Sequence, residues 1–240
     1  MIREAIEYIV KNFEPTIIKE KGKLFSNKQL IEVDGKGKIP KLDLSTLTSL
    51  VEYIKANKDG LDYSKLILVV ENCNQVVLKT SIDEYNEREN IICCLAKTKT
   101  FNFDKFLDRE KFIIGLQSQF CDSEERNNLL KILATVQEEA GVINEDNGIS
   151  QSVKTRKGIV LGENTVIPNP IKLAPYRTFA EINQPTSQFI FRITNVHSGL
   201  EMALFEADGG IWEIESMQRI KIYLSEHLEK EIEKGLTILA

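Results

Sequence analysis

Apolar residues recur at three- and four-residue intervals in some stretches of the chain and cluster or alternate in short runs in others, which predicts helices and strands in one molecule. Ile2, Ala5, Ile6, Ile9 and Phe13 form one helical stripe over residues 2–13, and Pro15 ends it. In LDLSTLTSLVEYIKANKDG the stripe is Leu47, Leu50, Val51 and Ile54; Asp43 or Ser45 supplies the cap, and Asn57 to Gly60 stops the helix. Asp108 opens DREKFIIGLQSQF, and Asp122 or Ser123 opens SEERNNLLKILATVQEEAG, where Leu129, Ile132, Leu133 and Val136 share a face and Gly141 marks the end. These two segments predict a paired helical insert. A terminal helix over 217–234 carries Ile220, Leu224, Leu228 and Ile232 along one side.

Between the helices the pattern shortens to β-type runs. IIKEKGKLF and KQLIEV, separated by Ser26 and Asn27, predict a hairpin, and LILVVE, QVVLKT and ENIICCLAK predict an antiparallel meander. In the last ninety or so residues VKTRKGIVL, TVIPNPIKL, SQFIFRIT, LEMALFEA and GIWEIES are strand candidates, with a turn at Asp208, Gly209 and Gly210 between the last two. The polar run NEDNGIS suggests a boundary, giving an α+β layer with the helical insert over 1–143 and a β-rich unit with its closing helix over 144–240. The fold class is therefore α+β: a helix plus antiparallel meander, a helical insert, and a β-rich C-terminal unit closed by a helix, the two parts forming separate domains or one compact domain.

Composition narrows the function classes. With 42% hydrophobic and 28% charged residues in 240, the chain is of ordinary globular composition. A net charge of -5 gives no overall attraction to phosphate polyanions. No apolar run is long enough to span a bilayer, and the acids in MIREAIEYIV do not suit a signal peptide, so the expected location is the cytoplasm, away from membranes. Cys73, Cys93, Cys94 and Cys121 contain no CxxC pair and are expected to be reduced thiols, and His197 and His227 are too few for an ordinary zinc site. No cofactor and no metal are expected.

Charge is uneven along the chain. Lysines 19, 21, 23, 28, 36, 38 and 41 face only Glu20, Glu32 and Asp34, which fits either edge-strand protection or a docking face. From Val196 to Lys234 nine acids stand against Arg219, Lys221, Lys230 and Lys234. Such opposite ends can join subunits head to tail, or can simply be solvated, and the many strand edges of the β-rich half favour a homo-oligomer.

The run IPNPIKLAPYRTFAEINQPTSQFIFR, followed by ALFEADGGIWEIESMQRIKIYL, resembles an uncharacterised family of phage and prophage proteins. LTSLVEYIKAN and FDKFLDREKFIIGLQSQF extend the likeness over nearly the whole chain, and the order of segments is distantly similar to YfdQ-like prophage proteins. The resemblance implies the product of an early, non-structural phage gene acting in recombination, replication support or interference with host defence. It transfers no functional residue.

The densest candidate chemistry lies in APYRTFAEINQPTSQFIFRIT, residues 174–194. Strand alternation puts Phe189, Phe191 and Ile193 on one face of SQFIFRIT and Arg192 on the other, where its guanidinium can grip a phosphate or carboxylate, or pair with Glu206 or Asp208. In PYRTF, Tyr176 and Arg177 can stack and bind a base, or serve as core or interface. Glu206, Asp208, Glu213 and Glu215 on paired strands would converge as magnesium ligands for phosphodiester cleavage, but no nuclease motif accompanies them. GxGxxG, GxxxxGKS/T and GxSxG are all absent. The expectation is a non-enzymatic, homo-oligomeric phage-type protein that engages or sequesters a host defence protein or a small nucleotide, with Tyr176, Arg177 and Arg192 as its recognition residues. The alternative is a recombination or replication accessory that binds single-stranded DNA.

Overall fold

The structure is a computed structural model that describes residues 2–4, 17–20, 23–26, 40–83, 86–136, 145–146, 151–157, 160–167, 169–196 and 199–240. The chain divides into a small unit, Met1–Ile39, and a larger one, Pro40–Ala240. In the small unit residues 2–4 are helical, and the remainder of the helix expected over 2–13 lies outside the described residues. Strands β1 (Ile17–Glu20) and β2 (Lys23–Ser26) form an antiparallel hairpin with Glu20 opposite Lys23. The chain thus reverses within IIKEKGKLF, and the expected turn at Ser26 and Asn27 is displaced to that point; KQLIEV lies outside the described residues.

The larger unit is α+β, built around two sheets and two apolar cores. Strands β3 (Leu42–Leu44), β4 (Leu66–Asn72), β5 (Gln75–Thr80) and β6 (Asn90–Leu95) join β14 (Thr237–Leu239) in a mixed sheet of order β14-β4-β5-β6-β3. The meander β4-β5-β6 is antiparallel, as its hydrophobic runs predict, and the two edge strands are parallel to their neighbours. Helix α1 (Leu47–Ala56) buries Leu47, Leu50, Val51 and Ile54 in the core of this sheet. Its cap is Thr46, whose side chain accepts from the Ser49 N–H, because Asp43 is occupied in β3.

The second sheet is antiparallel, of order β11-β12-β13-β7, from β7 (Leu107–Asp108), β11 (Ile171–Leu173), β12 (Ser187–Val196) and β13 (Gly199–Glu206). Helix α2 (Arg109–Ser118), capped by Asp108, and helix α3 (Glu124–Thr135), capped by Ser123, supply the other side of its core. Phe101, Phe112, Phe120, Phe189 and Phe191 meet there largely edge to face, and each buried ring contributes about 1.5–3 kcal/mol by leaving water. Helix α3 stops at Thr135 with Val136 in an extended conformation, before the expected stop at Gly141. Each core draws on residues from both sides of position 144.

Three strand assignments change. TVIPNPIKL is not one strand, since residues 165–167 and Ile171–Leu173 belong to different sheets. VKTRKGIVL is not one strand, since β9 (Gln151–Lys157) and β10 (Val160–Ile167) pair antiparallel, with the short β8 (Glu145–Asp146) of the NEDNGIS run on the far side of β9. GIWEIES is not a strand either. It is the start of helix α4 (Ile211–His227), which is followed by α5 (Glu229–Glu233). The Asp208 carboxylate accepts from the Gly210 N–H at 3.1 Å, and Gly210 takes a left-handed conformation (φ 81) that turns the chain into the helix. Beyond α5, Gly235 (φ +108) passes so near Ser64 that a β-carbon would lie 2.9 Å from the Ser64 Cα, and this close passage leads into β14.

Candidate functional site: the 174–186 strap and its groove

Between β11 and β12 the chain runs without regular structure over residues 174–186, and this strap enters the first core and is bridged through its backbone to Phe120 of the second. Pro175 forms an isolated bridge with Phe120; beside it the Cys121 N–H donates to the Ala174 carbonyl and the Tyr176 N–H to the Gln119 carbonyl, both at 2.8 Å. Phe179 and Ile182 enter the first core. The Thr178 hydroxyl donates to the Cys73 carbonyl between β4 and β5. One Glu181 carboxylate oxygen accepts from the Thr48 N–H at 3.1 Å in the first turn of α1, where exposed helix N–H groups favour an anion.

Gln184 holds the strap's shape. Its Oε1 accepts from the N–H groups of Arg177 (3.0 Å) and Thr178 (3.2 Å), and its Nε2 donates to the carbonyls of Phe179 (2.9 Å) and Ile182 (3.3 Å). A buried backbone without secondary structure needs partners of this kind for its polar groups.

Arg177 points inward and is 5% exposed. Its guanidinium donates to the Glu206 carboxylate and the Ser187 hydroxyl, and it lies over the Trp212 ring at 3.7 Å from the centroid. Burial lowers its pKa, opposed by the charges of Glu206 and Asp208, and the group stays protonated as arginine does throughout the ordinary range. The N–H on Nε of the same guanidinium is buried without a hydrogen-bond partner among the described residues. With its face on Trp212 and its terminal nitrogens engaged, Arg177 braces the strap against β12, β13 and α4.

The other sequence candidates separate from it. Phe189, Phe191 and Ile193 fill the second core, and half-buried Arg192 turns its NH1 to the neighbouring Phe191 carbonyl at 3.1 Å. Arg192 stands opposite Ala203 in the sheet, away from Glu206 opposite Phe189, so it makes no pair with Glu206 or Asp208. Glu213 and Glu215 lie on α4, and Glu215 pairs with Arg219 at 2.5 Å, which takes apart the carboxylate group expected on paired strands. Among the described residues no three His, Cys, Asp or Glu side chains are grouped to hold a metal ion, and no helix is long and apolar enough to cross a membrane.

The cysteines there are free. The Cys94 thiol donates to the Thr46 carbonyl, and burial pushes its pKa up to about 12. His197 lies outside the described residues. His227 closes the last turn of α4, its Nδ1 2.8 Å from the Tyr223 carbonyl and its ring stacked on Tyr223.

Tyr176 points the opposite way from Arg177 and is 44% exposed. It lines a groove of about 400 Å³ whose walls include Thr46, Lys97, Lys99, Gln119 and Glu181. Lys97 and Lys99 are exposed and make no ion pair among the described residues. Hydrogen bonding to Cys121 raises the Tyr176 pKa, so the ring is neutral at physiological pH. The groove therefore combines an aromatic ring with two ammonium groups, and Glu181 and Gln119 add acceptors to its lining. Lys97, Lys99, Glu181, Gln184 and Trp212 were not among the residues singled out from sequence.

The fold and site together describe an α+β protein whose two cores are joined by an irregular, hydrogen-bonded strap. Compared with protein-family models, curated proteins and solved structures, the chain matches none.

Proposed function

We propose that this chain is a non-enzymatic binding protein of phage type, acting as a homo-oligomer, that engages a small nucleotide signal in the Tyr176 groove. The observation that carries the reading is the exposed Tyr176 ring in a groove with Lys97 and Lys99, which make no ion pair among the described residues. A nucleotide has the matching parts, a flat base for the ring and phosphates for the ammonium groups. Stacking of a base on an aromatic residue supplies about 1–3 kcal/mol, and exposed lysines add less, mostly at low salt. Arg177 leaves the list of recognition residues, because its guanidinium is spent on Glu206, Ser187 and Trp212.

The test is a calorimetric titration of mono-, di- and cyclic dinucleotides into the full chain at low and moderate salt. At least one nucleotide binds, and Tyr176→Ala weakens it about tenfold, the loss of about 1.4 kcal/mol of stacking. Binding of single-stranded oligonucleotides with affinity that grows with length would instead favour the accessory role on single-stranded DNA. Titrations that show no heat and no thermal stabilisation with any nucleotide or oligonucleotide would remove both readings.

A further inference from the structure

Helix α4 is apolar on two sides. Ser216, Ile220 and Leu224 face the first core, while Ile211, Ile214 and Ile222 on the other side are 67%, 65% and 55% exposed. Ile214, Gln218 and Ile222 lie four residues apart and form one ridge of the helix surface, with Gln218 exposed between the two isoleucines. Glu215 and Arg219, paired with each other at 2.5 Å, run along one flank of that ridge.

We infer that this ridge is the contact between two copies of the chain, related by a two-fold axis that passes between the two α4 helices at the level of Gln218 and sets them antiparallel. The inference rests on the self-association contained in the proposed function and names its surface.

The ridge reads the same from either end about Gln218. Antiparallel apposition therefore places Ile214 of each copy in a layer with Ile222 of the other and brings the two Gln218 side chains together at the centre. A two-fold contact needs such self-complementarity, since one patch must meet its own copy. The charges agree as well. Residues on one flank meet the same flank of the second copy in reverse order, so Arg219 of each helix comes beside Glu215 of the other, and the internal pairs become an alternating set of four charges. A single polar position within an apolar contact fixes register, which is the part Gln218 plays.

The experiment measures the mass of the full chain in solution and repeats it on surface variants. The wild type is expected at twice 27.3 kDa, and the Ile214→Lys/Ile222→Lys double variant at 27.3 kDa with an unchanged circular dichroism spectrum. Gln218→Cys should form a disulfide-linked dimer under mild oxidation that the wild type, with its own four cysteines, does not form. A monomeric wild type at high micromolar concentration overturns the inference, as does a dimer that persists in the double variant. Nucleotide titrations on the same samples separate the two readings. A monomer that binds nucleotide overturns the helix pairing alone, whereas a dimer that needs the ridge and binds no nucleotide overturns the groove reading alone.

Discussion

Tyr176 and Arg177 are neighbours in sequence and opposite in circumstance. Arg177 is 5% exposed, with Glu206 and Ser187 as hydrogen-bond acceptors and Trp212 against its face; Tyr176 is 44% exposed and lines an open groove. A chain in extended conformation sends adjacent side chains in opposite directions, so one residue serves the fold while the next is left for a partner. Arginine beside aromatic rings is therefore not in itself a recognition signature. What decides is whether the guanidinium's hydrogen bonds are already made.

Substitutions along the strap separate these roles, beginning with the largest effect. Arg177→Met should lower the stability of the full chain by about 2–4 kcal/mol in urea denaturation, because it strips partners from Glu206, Ser187 and Trp212 together. An unchanged denaturation midpoint would show that Arg177 is not a brace. Gln184→Leu keeps much of the side-chain volume and removes all four hydrogen bonds that shape the strap; a loss of about 2 kcal/mol is expected in the same assay, with weaker nucleotide binding because Tyr176 is no longer held. Thr178→Val deletes one hydroxyl contact, to the Cys73 carbonyl, and should cost about 1 kcal/mol in the same assay.

Much of the first core was legible in the sequence. Leu47, Leu50, Val51 and Ile54 repeat with the helical period, and the meander strands have the length and β-branched content of strands, so local pattern and tertiary burial agree. The faces of SQFIFRIT were legible for the same reason, with Phe189, Phe191 and Ile193 inward. GIWEIES misleads because α4 carries isoleucines on its outer side as well as its inner side, which blurs the helical period at its start. The three-residue edge strands β3 and β14 are too short to show an alternation, and they depend on β6 and β4 for their hydrogen bonds.

The site was less legible than the fold. The segment 174–194 was visible as the place to look, but which arginine pairs with Glu206 depends on how the strap folds back, and that is set by Gln184. One glutamine between prolines has no periodicity to reveal it. Lys97 and Lys99 follow β6 nearly eighty residues before Tyr176 in the chain, and only the packing of the strap beside α2 brings them to the same groove.

The most direct measurement is paired: nucleotide affinity and unfolding free energy of Tyr176→Ala beside the wild type. The ring is exposed and its removal leaves the strap's backbone hydrogen bonds and those of Gln184 in place, so stability should change by no more than about 0.5 kcal/mol while nucleotide affinity falls about tenfold. A variant that binds nucleotide as the wild type does, or one that loses binding only because it unfolds, would contradict the division of labour between Tyr176 and Arg177.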